Sequence, residues 1–255
     1  MVRVRVNVNK LIQLMSMKES NKEILISFLI DFLADKFEHL GLNWSTASIL
    51  GASEDVNVLS AIAGGDEAGE TSYSVYMHEN VSSRPIYFIV NFRVQLRVVP
   101  LQLRRFQMFA LKSLCSVLTD RPQRICTPNE TANFSSIITI AVNTETLFAN
   151  QPDEFVTYVS EQRYGKECVF NTIFIELDKY KAELTHPTFA NNVEKWIHFL
   201  KFSHLLSKDE VLKIYNSHQS ILKLYNDFFN ELCEVITDLD VQQKKIESEE
   251  RKLKN

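Results

Sequence analysis

The chain is expected to fold as an α/β (α+β) protein, with a central mixed sheet flanked by helices and a helical region at its C-terminal end. Three observations predict this. Residues 85–98 (PIYFIVNFRVQLRV) repeat apolar side chains with a period of two, the pattern of a strand with one buried face. Residues 24–37 and 211–239 instead carry apolar side chains at helical spacing. The elements also follow one another as helix, three strands, helix, two strands and then helices, an order that suits a mixed sheet with helices packed on it.

The first helix is announced by Ser20-Asn-Lys-Glu23, a capping-box pattern in which the serine hydroxyl and the glutamate carboxylate satisfy free backbone donors. Ile24, Leu25, Phe28, Leu29, Phe32, Leu33 and Phe37 then form its apolar stripe, and Gly41 is a suitable C-terminal cap. The segment before it, MVRVRVNVN, alternates, and is too polar and too short for a signal peptide. Strands are expected at residues 56–63, 72–77 and 85–98, joined by the turn GGDEAGE (64–70) and by a polar connection over 78–85, which makes an antiparallel meander.

In the third strand Ile86, Phe88, Val90, Phe92, Val94, Leu96 and Val98 share the buried parity. The other parity passes from Tyr87 and Ile89 to Asn91, Arg93, Gln95 and Arg97, so one end of the strand is polar on one face. Pro100 suits the start of a helix over 101–118. Residues 120–133 hold two prolines and read as a loop, 134–142 (FSSIITIAV) as a buried strand, 145–159 as irregular or weakly helical, and 169–177 (VFNTIFIEL) as another strand. Residues 192–206 form an aromatic-rich helix. A second capping box, Ser207-Lys-Asp-Glu210, opens one long helix whose apolar face includes Tyr225, Phe228, Leu232, Val235 and Leu239. The charged stretch from residue 242 is expected to be a solvated or fraying helical tail.

With 255 residues, 45% hydrophobic and 24% charged, the chain can bury a substantial core and belongs to neither a disordered nor a membrane class. No apolar run approaches the ~20 residues of a membrane span. Cys115, Cys126, Cys168 and Cys233 are scattered without a CxxC or a histidine partner, so reduced thiols and a cytoplasmic or other intracellular setting are expected. A net charge of −4 provides no global attraction to nucleic acid, and such binding would need a local patch. No Ser/His/Asp set, Cys/His pair or glycine-rich phosphate loop can be assembled by spacing.

Four stretches, in order, resemble the PD-(D/E)XK nuclease fold and within it the Rpn group of recombination-promoting nucleases and transposases. NKEILISFLIDFL (21–33) is similar to that group's opening helix, and LQLRRFQMFALKSL (101–114) to the helix after its third strand. IFIELDKYKAEL (173–184) and EKWIHFLKF (194–202) resemble a strand end and the helix that follows. The resemblance implies a restriction-endonuclease-like core over 1–184, with residues 185–255 as a helical region packed on it or extending from it. It also implies Mg²⁺-dependent DNA cleavage by an Asp on the second strand and the Glu of an E-x-Q or E-x-K motif on the third. Hard oxygen ligands are what such a metal needs.

The motif positions do not carry those acids. With the third strand at 86–93 they fall on Asn91 and Arg93, and an arginine there would repel the metal. The alternative placement, on GDEAGETSYSVYMH (65–78), puts them on Tyr76, His78 and Ala61. Asp66 and Glu79, both in expected turns, are the substitute metal candidates, and turn acids are ordinarily solvated. The expectation is therefore a protein without a catalytic residue set and without a cofactor, Mg²⁺ entering only if activity survives.

DNA binding would rest on Arg93, Arg97, Arg104, Arg105 and Lys112. They belong to a stretch, 93–124, with seven cationic side chains against one acid, Asp120. The alternative is a protein-interaction module, binding a partner or a second copy through the C-terminal helix, and no membrane contact is expected. The resemblance places Lys179 and Lys181, after Glu176, on the late strand outside the catalytic motif, which implies a structural or backbone-contacting role.

Overall fold

The computed structural model describes residues 2–33, 48–56, 71–81, 84–95, 134–151, 154–163 and 168–231. Six strands form one mixed sheet: β1 (Ser48–Val56), β2 (Thr71–Val81), β3 (Arg84–Gln95), β4 (Phe134–Asn143), β5 (Val156–Arg163) and β6 (Cys168–Glu176), in the spatial order β1-β2-β3-β4-β6-β5. β1, β2 and β3 make an antiparallel meander, β4 lies parallel to β3, β6 parallel to β4, and β5 closes the far edge antiparallel to β6. The helices are α1 (Val2–Met17), α2 (Lys22–Leu33), α3 (Asn192–Phe202), α4 (Lys208–Ile214) and α5 (219–231).

The buried parity of β3 is as expected, with Val90, Phe92 and Val94 fully buried. In register beside them stand Ile138, Ile140 and Val142 of β4, then Ile173 and Ile175 of β6. Against this face pack Phe28 and Phe32 of α2, Leu11, Ile12 and Met15 of α1, Trp196 and Phe199 of α3, Val211 of α4, and Ile221 and Phe228 of α5, all in one continuous apolar core. The C-terminal helices thus share their core with the sheet. Phe28 anchors it, stacked on Phe32 with ring centroids 4.4 Å apart and set edge-on to Trp196 at 5.2 Å.

Several local expectations are corrected. The alternating N-terminal segment is helical, because Val8, Leu11, Ile12 and Met15 recur at i, i+3, i+4 and i+7 and bury that face; tertiary packing outweighs the alternation before it. The Ser20–Glu23 box is not what opens α2. Ser20 lies within a 3-10 turn, Glu19–Asn21, whose buried Asn21 donates through Nδ2 to the Leu14 carbonyl at 3.2 Å and draws the α1–α2 link tight. The first strand runs over 48–56 rather than 56–63, and residues 57–63 lie outside those described. The expected 78–85 connection is shorter, since the β2–β3 ladder continues to Val81 opposite Arg84.

Of the stretch 145–159, residues 145–151, 154 and 155 are irregular. From Val156 the chain forms β5, whose Tyr158 packs on the core and donates its hydroxyl to the Phe32 carbonyl at 3.2 Å. The capping box at Ser207 forms as expected, with both reciprocal bonds present, and the Ser207 hydrogen bonds hold the exposed Glu210 carboxyl below its usual range.

The helix it opens is short, however. The chain leaves helical geometry at Tyr215, and His218 starts the next helix, its Nδ1 accepting from the Ile221 N–H at 3.4 Å. An N-cap made by an imidazole nitrogen is not a pattern that sequence spacing reveals. Of the apolar face expected on the long helix, Tyr225 and Phe228 are buried in the protein's own core, while Leu232, Val235 and Leu239 lie outside the described residues.

Candidate functional site

The polar positions of β3 are fixed by the sheet register. Asn91 stands in a cross-strand row with Ser53 of β1, Ser74 of β2, Thr139 of β4 and Thr172 of β6. Asn91, Thr139 and Thr172 are all buried. The next row of the same parity, two residues towards the carboxyl end of β3, holds Asp55, Ser72, Arg93, Ala141 and Phe174. Metal-assisted hydrolysis at the positions that the sequence resemblance implies would need carboxylates converging here. The first row supplies hydroxyls and an amide, and the second one acid, two strands from an arginine. These positions do not fit a magnesium site. Among the described residues no group of three or more His, Cys, Asp and Glu side chains is placed to hold a metal ion.

Asp55 is not among the candidates the sequence offers, because the expected first strand begins one residue after it. The available signal is the S-E-D-V end of a segment with strand-forming Ile49 and Leu50. Of the other candidates, Tyr76 and His78 lie in β2, opposite Ile89 and Tyr87. Glu79, expected in a turn, is inside β2 opposite Ile86, on the strand parity opposite to Ser74. Ala61, Asp66, Arg97, Arg104, Arg105 and Lys112, together with the 101–118 helix, lie outside the described residues.

The same face of the sheet ends, at the carboxyl end of β6, in a buried ion pair. Glu176 has no exposed surface, and Lys179 is nearly as deep. The Glu176 Oε2–Lys179 Nζ distance is 2.8 Å. Glu176 Oε1 accepts from the backbone N–H groups of Leu147 and Phe148. Lys179 Nζ also reaches the carbonyls of Phe148 (2.7 Å), Gln151 (2.8 Å) and Glu154 (3.2 Å). Each side chain is thus met by the other and by backbone groups. The pair's effect is to clamp the β4–β5 connection over the end of the sheet. Leu147 and Phe148 of that connection cover Ala141 and Phe174, with Phe148 edge-on to Phe174 at 5.2 Å. The backbone-contacting role expected for Lys179 is what the geometry displays.

A second polar node joins the helices. Asp31 of α2 accepts from Trp196 Nε1 (2.8 Å), Asn192 Nδ2 (3.0 Å) and His218 Nε2 (3.2 Å). Burial would raise the Asp31 carboxyl, but these donors outweigh it and hold the group below its ordinary value. An Asp–His pair invites comparison with a catalytic dyad. Here, though, the second ring nitrogen of His218 is already taken by the Ile221 N–H, leaving no nitrogen to accept a substrate proton. The node ties α2, α3 and α5 together.

His198 is likewise structural. It is fully buried, its Nε2 lies 2.9 Å from the Glu183 carbonyl and its Nδ1 faces the Tyr215 hydroxyl. The carbonyl can only accept, so Nε2 carries the proton and Nδ1 accepts from Tyr215. Burial pushes the His198 pKa down and so favours the neutral ring. Compared with family models, curated proteins and solved structures, the chain matches none.

Among the described residues no helix is long and apolar enough to cross a membrane. An open cleft of about 630 Å³ lies beside the clamp, lined by Thr146, Phe155, Asp178, Tyr180, Lys181 and Glu194 among others. The Asp178 carboxylate accepts there from Thr146 Oγ1 at 3.3 Å, and Lys181 Nζ donates to the Asp178 carbonyl at 2.8 Å. Tyr180 is deeply buried, and burial together with the nearby Glu194 charge pushes its pKa up to about 12.

Proposed function

We propose that this chain is a nuclease-like protein of the PD-(D/E)XK type, related to the Rpn transposases, that has lost catalysis and holds DNA by its phosphate backbone. The observation that supports this reading is the row Ser53–Ser74–Asn91–Thr139–Thr172, which holds no acidic residue type around Asn91, the position to which the resemblance assigns a motif carboxylate. The α+β mixed sheet with helices packed on it agrees in coarse class with such a core. The cationic stretch 93–124 supplies the charge that phosphate binding needs, beginning at Arg93, two residues along β3 from Asn91.

The test is to incubate supercoiled plasmid with the purified protein in Mg²⁺ or Mn²⁺ and to resolve the products with and without prior deproteinisation. The expected result is DNA retarded before deproteinisation and intact after it. Nicking that disappears in Asp55→Asn, Asp66→Asn or Glu79→Gln would overturn the loss of catalysis.

A second reading, a protein-interaction module, is favoured by one separate observation. Leu205, Leu212 and Phe229 of the C-terminal helical region are 57%, 45% and 40% exposed. Failure to retard DNA at low salt, together with a self-associated species in sedimentation that Leu205→Ser and Phe229→Ser abolish, would favour it over DNA binding.

A further inference from the structure

We draw no further inference here: the strongest candidate, the cleft of about 630 Å³ at the carboxyl end of β6 lined by Asp178, Lys179, Tyr180, Lys181 and Glu194, sets two carboxylates beside two lysines and keeps its unpartnered hydroxyl, Tyr180 Oη, sealed beneath its wall, so nothing in the structure shows what ligand chemistry would fill it.

Discussion

Glu176 and Lys179 show how two charges are built into the architecture of the fold. Two charges removed from water are tolerated because the carboxylate receives two backbone N–H groups and the ammonium three carbonyls in addition to their mutual bond. Removing one partner strands the other. Lys179→Met should cost about 3–5 kcal/mol in urea denaturation, and the Glu176→Gln/Lys179→Met double variant should recover part of that loss. If the single variant lost less than the double, the pair would not be the clamp described. His198 makes a pH-dependent contribution of definite sign. Its folded pKa lies below the ordinary value of about 6.5, so the unfolded chain binds the proton more readily. Stability is then full above that ordinary value and falls as pH drops towards the lowered folded value. The urea midpoint should decline through that window, and His198→Gln should flatten the decline.

At the scale of elements, the parts legible in the sequence are those whose periodicity is both strong and long. α2, β3, β4, β6 and α3 each form at the expected place and contribute apolar residues to the core, and the Ser207 box forms because its two partners are three residues apart on a helix that does start there. What escapes a sequence reading depends on contacts between distant residues. α1 begins with an alternating segment, yet its second half meets the sheet and the other helices as a helix. β5 is set by pairing to β6, and the break after α4 by His218 reaching both Ile221 and Asp31.

Of the candidate site, the positions Asn91 and Arg93 are readable, whereas Asp55 is hidden by a displaced strand boundary. Two substitutions test the element assignments. Ser207→Ala should cost about 1 kcal/mol, within the roughly 0.5–2 kcal/mol range of N-cap losses. Asp31→Ala leaves three donors, two on α3 and one at the start of α5, without their acceptor. It should cost more, about 2–4 kcal/mol. Equal losses from the two in thermal or urea unfolding would contradict the description of Asp31 as the node joining α2, α3 and α5.

For the whole molecule, the sheet, the helical layer and the C-terminal helices share one apolar core, so the chain's described parts unfold together in this account. Phe28→Ala, at the junction of α2, β3 and α3, should cost about 3–5 kcal/mol and shift near-ultraviolet and far-ultraviolet transitions alike. The functional claim lives at the same scale, because an acidic chain of net charge −4 can attract DNA only through a segregated patch. A protein that grips phosphates without reading bases or cutting has a characteristic signature in salt. The most direct measurement is duplex-DNA affinity by fluorescence anisotropy as a function of salt, for the native chain and for an Arg93→Ala/Arg104→Ala/Arg105→Ala variant. The account predicts sequence-independent binding whose logarithm falls linearly with the logarithm of salt. In the variant the slope should be shallower by about 2–3, at roughly 0.9 for each phosphate no longer neutralised. No binding at low salt, or a slope unchanged by the three substitutions, would contradict it.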